Sequence, residues 1–307
     1  MNTTFSNKKT VISYVIAFAL ILLMVTAAML LDDHEVILPE ISAMAVAMWV
    51  YRESGWIRQP SKIFLAPSIT AVIGFSVNQL DLMYVEKVIL TTALIILILR
   101  LIQSNLAPSI ATGLLPLVMN ATEWTFILSV IVFTLILMFG VLVFGLNKGL
   151  EKKMNIQYTY MPVFLVLNIV WIGLVWGAGY PQLAAIPPIL VVMYEVLQKP
   201  MYNGKMAFKQ GIVLTISATV GTILYFTIDS WILITLLAML LMIILLSIVG
   251  IRMPAVYAFP LLPFVFPEEI IAKLPFATLI ASVFFLGSVL VFKKFEMKQR
   301  EKVLQKS

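Results

Sequence analysis

The sequence predicts an all-α polytopic membrane protein of about twelve membrane segments, arranged as two parallel six-segment repeats. Composition is the first observation, because 62% of the 307 residues are apolar and 12% are charged, against about 45–50% and about 25% in soluble domains. Uncharged runs of about 20 residues, the length that crosses a bilayer, fill most of the chain. Similar residues also recur at a near-constant interval. A water-soluble domain is excluded, because the chain has too little polar surface to cover it.

The first half of the chain contains six predicted segments. Three are long uncharged runs, and a fourth carries Glu86 and Lys87 near its start. The second and fifth segments are shorter and rich in proline and small residues. In chain order the six are 11–31, 36–51, 63–80, 84–102, 106–119 and 124–147.

The second half repeats this order. One uncharged run covers 154–194, and the turn sequence Gly177–Pro181 divides it into a full crossing and a short segment. The short segments are again the second and the fifth, and the last crossing ends where a basic tail begins. After that first crossing, the segments are 183–198, 210–228, 230–251, 254–267 and 274–292.

Charge placement favours twelve crossings. Lys and Arg accumulate in cytoplasmic loops, and an inside amino terminus leaves only Lys87 and Lys273 on the outer side. Ten crossings would instead place Lys148, Lys152 and Lys153 outside. We therefore expect a multi-pass protein of a bacterial plasma membrane, with both termini cytoplasmic. The acidic residues gather in the predicted outer loops, at Asp32, Asp33, Glu35, Asp81, Glu86, Glu123, Asp229, Glu268 and Glu269.

An internal duplication explains the paired order of the segments. Similar residues lie 146 to 148 positions apart in the pairs Pro39 and Pro187, Gly74 and Gly221, Pro108 and Pro254, and Gly140 and Gly287. The chain then divides into repeats 1–147 and 158–307, joined by a cytoplasmic linker at 148–157. An even number of crossings gives both repeats the same orientation, so a two-fold pseudo-axis would run along the membrane normal. We expect a pathway near that axis.

The broken segments are the predicted location of a solute-binding site. Proline interrupts helical hydrogen bonding, and the freed carbonyl groups must be covered by protein or water. Paired interruptions in two halves indicate a transport site, although small residues and proline are also common where membrane helices pack. Hydroxyl groups can bond to their own helix, and arginines can be plain cytoplasmic anchors. The candidate residues are Ser68, Asn105, Pro108, Ser109, Thr112, Arg252, Pro254 and Tyr257.

Two acidic residues fall inside predicted segments, Glu40 and Glu195. A charged side chain inside a membrane usually faces a cavity or a partner. Both residues also lie near segment ends, where an interfacial position is possible. That position is slightly favoured for Glu40, and Glu195 can reach the interface beside Lys199.

The first half resembles the HPP family of integral membrane proteins, named for a His-Pro-Pro signature. The resemblance rests on Ile41–Tyr51, Arg58–Ser61, the segment Leu106–Pro116, Trp124 and the ending Phe144–Asn147. Leu106 and Ala107 stand at the histidine and first-proline positions, so Pro108 alone carries over. The resemblance implies passage of small anions such as nitrite. A weaker similarity is to the six-helix membrane half of fusaric-acid and aromatic-acid exporters.

The residue inventory argues against catalysis. Cysteine is absent and His34 is the single histidine, so the usual zinc centres and nucleophilic triads cannot be assembled. We expect no enzyme activity, no metal and no cofactor. The net charge of +6 lies in loops rather than on a nucleic-acid-binding domain, so no nucleic-acid partner is expected.

Two functions remain open. The first is a transporter or channel for a small polar solute, with an anion such as nitrite or a small carboxylate favoured. The second is a non-catalytic membrane subunit or scaffold that acts with a partner protein, for which the loop 199–209 is a candidate surface. The expected partners are the lipid bilayer and a small-molecule solute, with a homo-oligomer or a partner subunit possible.

Overall fold

The computed structural model describes residues 8–151 and 156–304, and within these ranges the chain contains helices and no strands. The predicted linker at 148–157 lies partly outside the described residues, which begin again at Ile156. Helix α13 extends beyond the predicted crossing 274–292 and reaches Leu304, because the Lys, Glu and Gln residues that follow favour helix.

The helices of the first half agree with the predicted segments. A π-helical turn at Val46–Val50 continues α2, and a 3-10 turn at His34–Val36 precedes it. The helices are α1 (Lys8–Leu31), α2 (Pro39–Ala45), α3 (Ser54–Ile57), α4 (Pro60–Asn78), α5 (Tyr84–Leu101), α6 (Pro108–Val118) and α7 (Trp124–Val143).

The second half has a similar order. A 3-10 turn at Pro181–Ala184 precedes α9, and two more 3-10 turns, Pro254–Tyr257 and Phe259–Phe264, form its other short segment. The remaining helices are α8 (Tyr160–Gly177), α9 (Pro187–Gln198), α10 (Gly204–Thr227), α11 (Trp231–Val249), α12 (Glu268–Ile271) and α13 (Leu274–Leu304).

Eight helical stretches in the described ranges are long and apolar enough to cross a membrane. They are α1, α4, α7, α8, α10, α11, the stretch Pro181–Gln198 and most of α13. Helix α5 is as long as α8 but contains Glu86, Lys87 and Arg100. Many large apolar side chains of these helices point outward, including Leu30 at 82% and Ile248 at 78% exposure. A surface of this kind fits hydrocarbon, and the chain is a multi-pass membrane protein.

The short segments occupy the interior, as the sequence predicts. Every residue of α2 and of α6 is buried, and so is every residue of the 3-10 turn Phe259–Phe264. Helix α9 has a single half-buried position among its first eleven residues, at Glu195. Neighbouring helices therefore cover the backbone groups that proline leaves without partners.

Helices from the two halves pack against each other in matched pairs. Helix α2 packs against the turn Pro254–Tyr257, and α6 packs against α9. In the same way α1 contacts α11 and α5 contacts α8. Within each half, the second long helix packs against the short fifth segment, α4 against α6 and α10 against Phe259–Phe264.

Two kinds of close contact recur at equivalent places in the halves. A Cβ atom on Gly74 would lie 1.8 Å from the Gly113 carbonyl oxygen, and one on Gly221 would lie 2.4 Å from the Cα atom of Pro260. Only glycine permits such an approach. At the other recurring contact, the Lys209 ammonium donates to the Val249 carbonyl at 2.7 Å. The Lys62 ammonium likewise donates to the Gln103 carbonyl.

Candidate functional site

A polar cavity of about 250 Å³ lies where the two halves meet. The first half contributes the loop after α2 and the loop before α6, and the second half contributes α9, α10 and the loop before Pro254. Larger hollows along α10 and α13 are lined mainly by apolar side chains and lie on the apolar exterior. The polar side chains of the cavity wall include Glu53, Asn105, Glu195, Lys199, Gln210 and Arg252.

Asn105 and Arg252 face the same cavity from opposite halves. They are 147 positions apart and each lies just before the proline of a short segment, at Pro108 and Pro254. The carbonyl oxygen of the Asn105 side chain is buried and has no hydrogen-bond partner within the described part of the chain. This pair provides an amide and a guanidinium group on the wall of one cavity, both able to bind a small polar solute.

Arg252 is one of two exposed cations of this wall, with Lys199. Its guanidinium carbon lies 6.0 Å from the centre of the Tyr51 ring, at the limit of a cation–π contact. Among the described residues, no carboxylate oxygen lies within 4.0 Å of the guanidinium nitrogens. The planar donor groups therefore remain available for an anion, which they can bind in bidentate fashion.

The remaining charges of the cavity are mixed. Glu195, half-buried on α9, experiences attraction from Lys199 and repulsion from Glu53. Gln210 is buried and its side-chain oxygen accepts the Tyr202 hydroxyl at 2.7 Å. Tyr202 lies in the loop after α9, and its burial raises the pKa of the phenol, so it remains a neutral donor at physiological pH.

Tyrosine and serine hydroxyl groups continue inward from the cavity. The Tyr51 hydroxyl lies 3.5 Å from the Tyr257 hydroxyl, and Tyr257 is fully buried. The Ser42 hydroxyl is 2.8 Å from the Tyr257 carbonyl oxygen and 2.5 Å from the Pro39 carbonyl oxygen, both of which can accept it. This series of groups leads from Arg252 towards the beginning of α2.

Glu40 lies on α2, two residues before Ser42. Its side chain is 4% exposed, and its Oε1 atom has no hydrogen-bond partner among the described residues. The Thr112 hydroxyl of α6 lies within hydrogen-bonding reach of the carboxyl group. Glu40 is thus enclosed by protein, in contrast to the interfacial position that the sequence slightly favours.

The opposite end of the bundle is held by acidic side chains. The Glu35 carboxylate accepts the backbone N–H groups of Thr122 at 2.7 Å and Glu123 at 3.0 Å. Partial burial raises the pKa of Glu35, and these two hydrogen bonds oppose the rise. His34 Nδ1 lies 3.2 Å from the Phe264 carbonyl oxygen, and its ring packs on Trp231. These contacts tie the loop between α1 and α2 to the beginning of α7, to α11 and to the turn Phe259–Phe264.

The predicted site residues fall into three groups. Asn105, Arg252, Pro254 and Glu195 line the cavity. Tyr257 contacts Tyr51 next to the cavity, and Glu40 and Thr112 form a separate buried pair. Pro108, Ser109 and Ser68 lie outside both groups, and the structure gives them other positions: Pro108 begins α6, Ser109 is buried within it, and Ser68 is on α4.

Several cavity residues are absent from the sequence prediction. Tyr51, Trp56, Tyr194 and Gln210 all contribute to the cavity or to its inner wall. Tyr51 ends the short segment 36–51, and Tyr194 precedes Glu195 in the short segment 183–198. Proximity to a broken segment could therefore have identified both tyrosines. Trp56 follows the segment 36–51 by five residues but lies on α3, and Gln210 lies on the long helix α10. The packing of α3 and α10 brings both residues to the cavity.

Comparison of the chain with known proteins identified no similar protein. No family model matches the chain, and searches of curated proteins and solved structures found no match. The resemblance to the HPP family therefore stays a prediction.

Proposed function

We propose that this protein is a transporter or channel for a small polar anion, with nitrite or a small carboxylate as the solute class. The observation that carries the proposal is the polar cavity between the halves, in which Asn105 and Arg252 occupy equivalent positions of two repeats. A transport pathway between repeats is expected on or near their common axis. The HPP resemblance points to the same solute class.

The proposal includes twelve membrane segments in two parallel repeats. Matched packing supports this arrangement, because α2 and α6 each contact a short segment of the other half. The equivalent lysines Lys62 and Lys209 make the same contact with the end of the following long helix. The equivalent glycines Gly74 and Gly221 make the same close approach to a short segment.

The proposed orientation has the cavity open to the cytoplasm. The loops around the cavity contain Arg52, Arg58, Lys199 and Lys205, whereas the opposite loops are mainly acidic. Basic loops of membrane proteins lie on the cytoplasmic side. In this orientation Arg252 attracts anions at the inner mouth, and the contacts of Glu35 and His34 close the outer end.

Flux measurements on purified protein in liposomes test the function. We expect nitrite or formate uptake above the leak of protein-free liposomes, without any other protein present. Absence of flux for both anions would contradict the proposal. Flux that appears only after addition of a co-purified protein would instead support the role of a membrane subunit.

A further inference from the structure

Glu40 lies well inside the apolar layer. The N–H group of Leu38, two residues earlier, donates to the Met24 sulfur atom at 3.4 Å. Met24 precedes the outer end of α1 by seven residues, which corresponds to about 10 Å along a helix axis. The chain then enters α2, in which every residue is buried. The carboxyl group therefore lies among packed helices, about two helical turns from the end of α1.

The neighbours of α2 supply no positive charge to this carboxyl group. The elements that pack against α2 are α1, the π-helical turn, α6, α7 and the two turns within 254–264. Their titratable residues are Tyr14 and Tyr257, together with Lys8 and Lys9 at the opposite end of α1. Outside these elements, the nearest titratable groups in sequence are His34 and Glu35, which are engaged with Phe264 and Thr122.

An ionised carboxylate in such a place is costly, because no cation or full set of donors compensates its desolvation. The surroundings of Glu40 therefore favour the neutral, protonated carboxyl group. An anion that passed Glu40 in its ionised form would also experience like-charge repulsion, which is strong where water is excluded. Passage of the anion is therefore compatible only with a protonated Glu40.

We propose that Glu40 is the proton-binding residue that couples anion movement to proton movement in the same direction. The proton adds to a carboxylate oxygen of Glu40 from water on one side and leaves to water on the other, so no bond to the anion is made or broken. Ser42, two residues after Glu40 on α2, donates its hydroxyl to the Tyr257 carbonyl oxygen, and the Tyr257 hydroxyl lies 3.5 Å from that of Tyr51. This inference rests on the transport function proposed above.

Accumulation of nitrite in liposomes under an inward proton gradient measures the coupling. With one proton per anion, one pH unit sustains an accumulation ratio of about ten, and we expect this ratio for the unaltered protein after subtraction of protein-free liposomes. Glu40→Gln, which keeps the neutral shape, should equilibrate nitrite at a ratio near one. Glu40→Asp keeps a carboxyl group and should keep nitrite accumulation. Asp81→Asn is the matched control, because it removes an exposed outer carboxylate.

Infrared spectroscopy gives a readout that needs no solute. We expect the carbonyl absorption of a protonated carboxyl group in the reconstituted protein near neutral pH, its loss in Glu40→Gln and its retention in Asp81→Asn. Chromatographic homogeneity and thermal unfolding show that the variants are folded.

The outcomes separate the two proposals. Three results would overturn proton coupling and leave the transport function standing. They are nitrite flux that does not change with the proton gradient, nitrite accumulation driven by a sodium gradient, and full nitrite accumulation by Glu40→Gln. A protein that shows the carboxyl absorption but no nitrite flux would retain Glu40 as a proton site and overturn the transport function.

Discussion

Arg252 is exposed although it directly precedes a buried segment. Met253 and the residues from Ala255 to Phe266 that follow it are buried, yet the guanidinium group faces the cavity and the Tyr51 ring. No partner carboxylate in the described structure neutralises it. The positive charge of Arg252 therefore faces the cavity and is not part of an internal ion pair.

Arg252→Ala should weaken anion binding far more than folding. Loss of a charge-assisted hydrogen bond reduces affinity by about tenfold or more, whereas an exposed side chain contributes within about 0.5 kcal/mol to stability. The apparent affinity for nitrite in liposomes and the unfolding temperature in detergent measure the two effects. Lys205→Ala, which removes an exposed cation of the same group of loops, should leave both unchanged. Unaltered nitrite affinity in Arg252→Ala would exclude Arg252 from the site.

The short segments show which structural features a sequence can reveal. Their bounds were predicted to within a few residues, for example 36–51 against the observed helix and π-helical turn over 39–50. Proline explains this accuracy, because it starts a helix without needing an N–H partner and marks the first turn. Pro39, Pro108, Pro187 and Pro254 all begin such elements.

The π-helical turn could not be predicted in the same way. The Tyr51 N–H group bonds to the Val46 carbonyl five residues earlier, at 3.0 Å. The extra residue rotates the end of the segment, and Tyr51 then meets Tyr257 and Arg252. Such a bulge depends on packing rather than on local preference, and π-bulges are frequent at functional sites. The cavity also depends on packing, because five separate stretches of chain form its wall.

Close packing of the second long helix of each half predicts different effects of alanine substitution at different glycines. An added methyl group at Gly74 or Gly221 would overlap the backbone of a short segment, and overpacking of this kind costs about 1–3 kcal/mol. We therefore expect Gly74→Ala and Gly221→Ala to lower the unfolding temperature in detergent.

Gly173 on α8 is the matched control, because nothing lies within 4 Å of its added Cβ atom. Gly173→Ala should be neutral or slightly stabilising, since alanine favours helix over glycine. Equal unfolding temperatures for all three variants would contradict the close approach of α4 and α10 to the short segments.

Over the whole molecule, charge is sorted between the two groups of loops. The two lysines on the acidic side are each engaged locally. Lys87 donates to the Asn78 carbonyl at 2.7 Å, and Lys273 lies 4.9 Å from the centre of the Tyr180 ring. These contacts explain why two cations occur where acidic residues dominate. Composition alone predicts the membrane character and the helical class of the protein. It does not predict which helices of the two halves pack against each other.

Single-cysteine labelling tests the orientation directly, because the chain has no native cysteine. We expect cysteines at Lys148 and Lys205 to react with an impermeant maleimide only from the cytoplasmic side. A cysteine at Asp81 should react only from the outside, and all three positions are exposed. Lys148 and Lys205 labelled from opposite sides would rule out twelve segments in two parallel repeats.

The hydrogen bond from Ser42 to Tyr257 joins residues that are 215 positions apart. A ribosome that adds about 5–20 residues per second needs about 10–40 s to make the intervening chain. During that delay α2, with Glu40 and Ser42, lies in a nascent membrane protein that lacks the neighbours of α2 from the second half. Successful biogenesis therefore requires that α2 be sheltered from lipid, by the insertion machinery or by temporary neighbours, until the second half arrives.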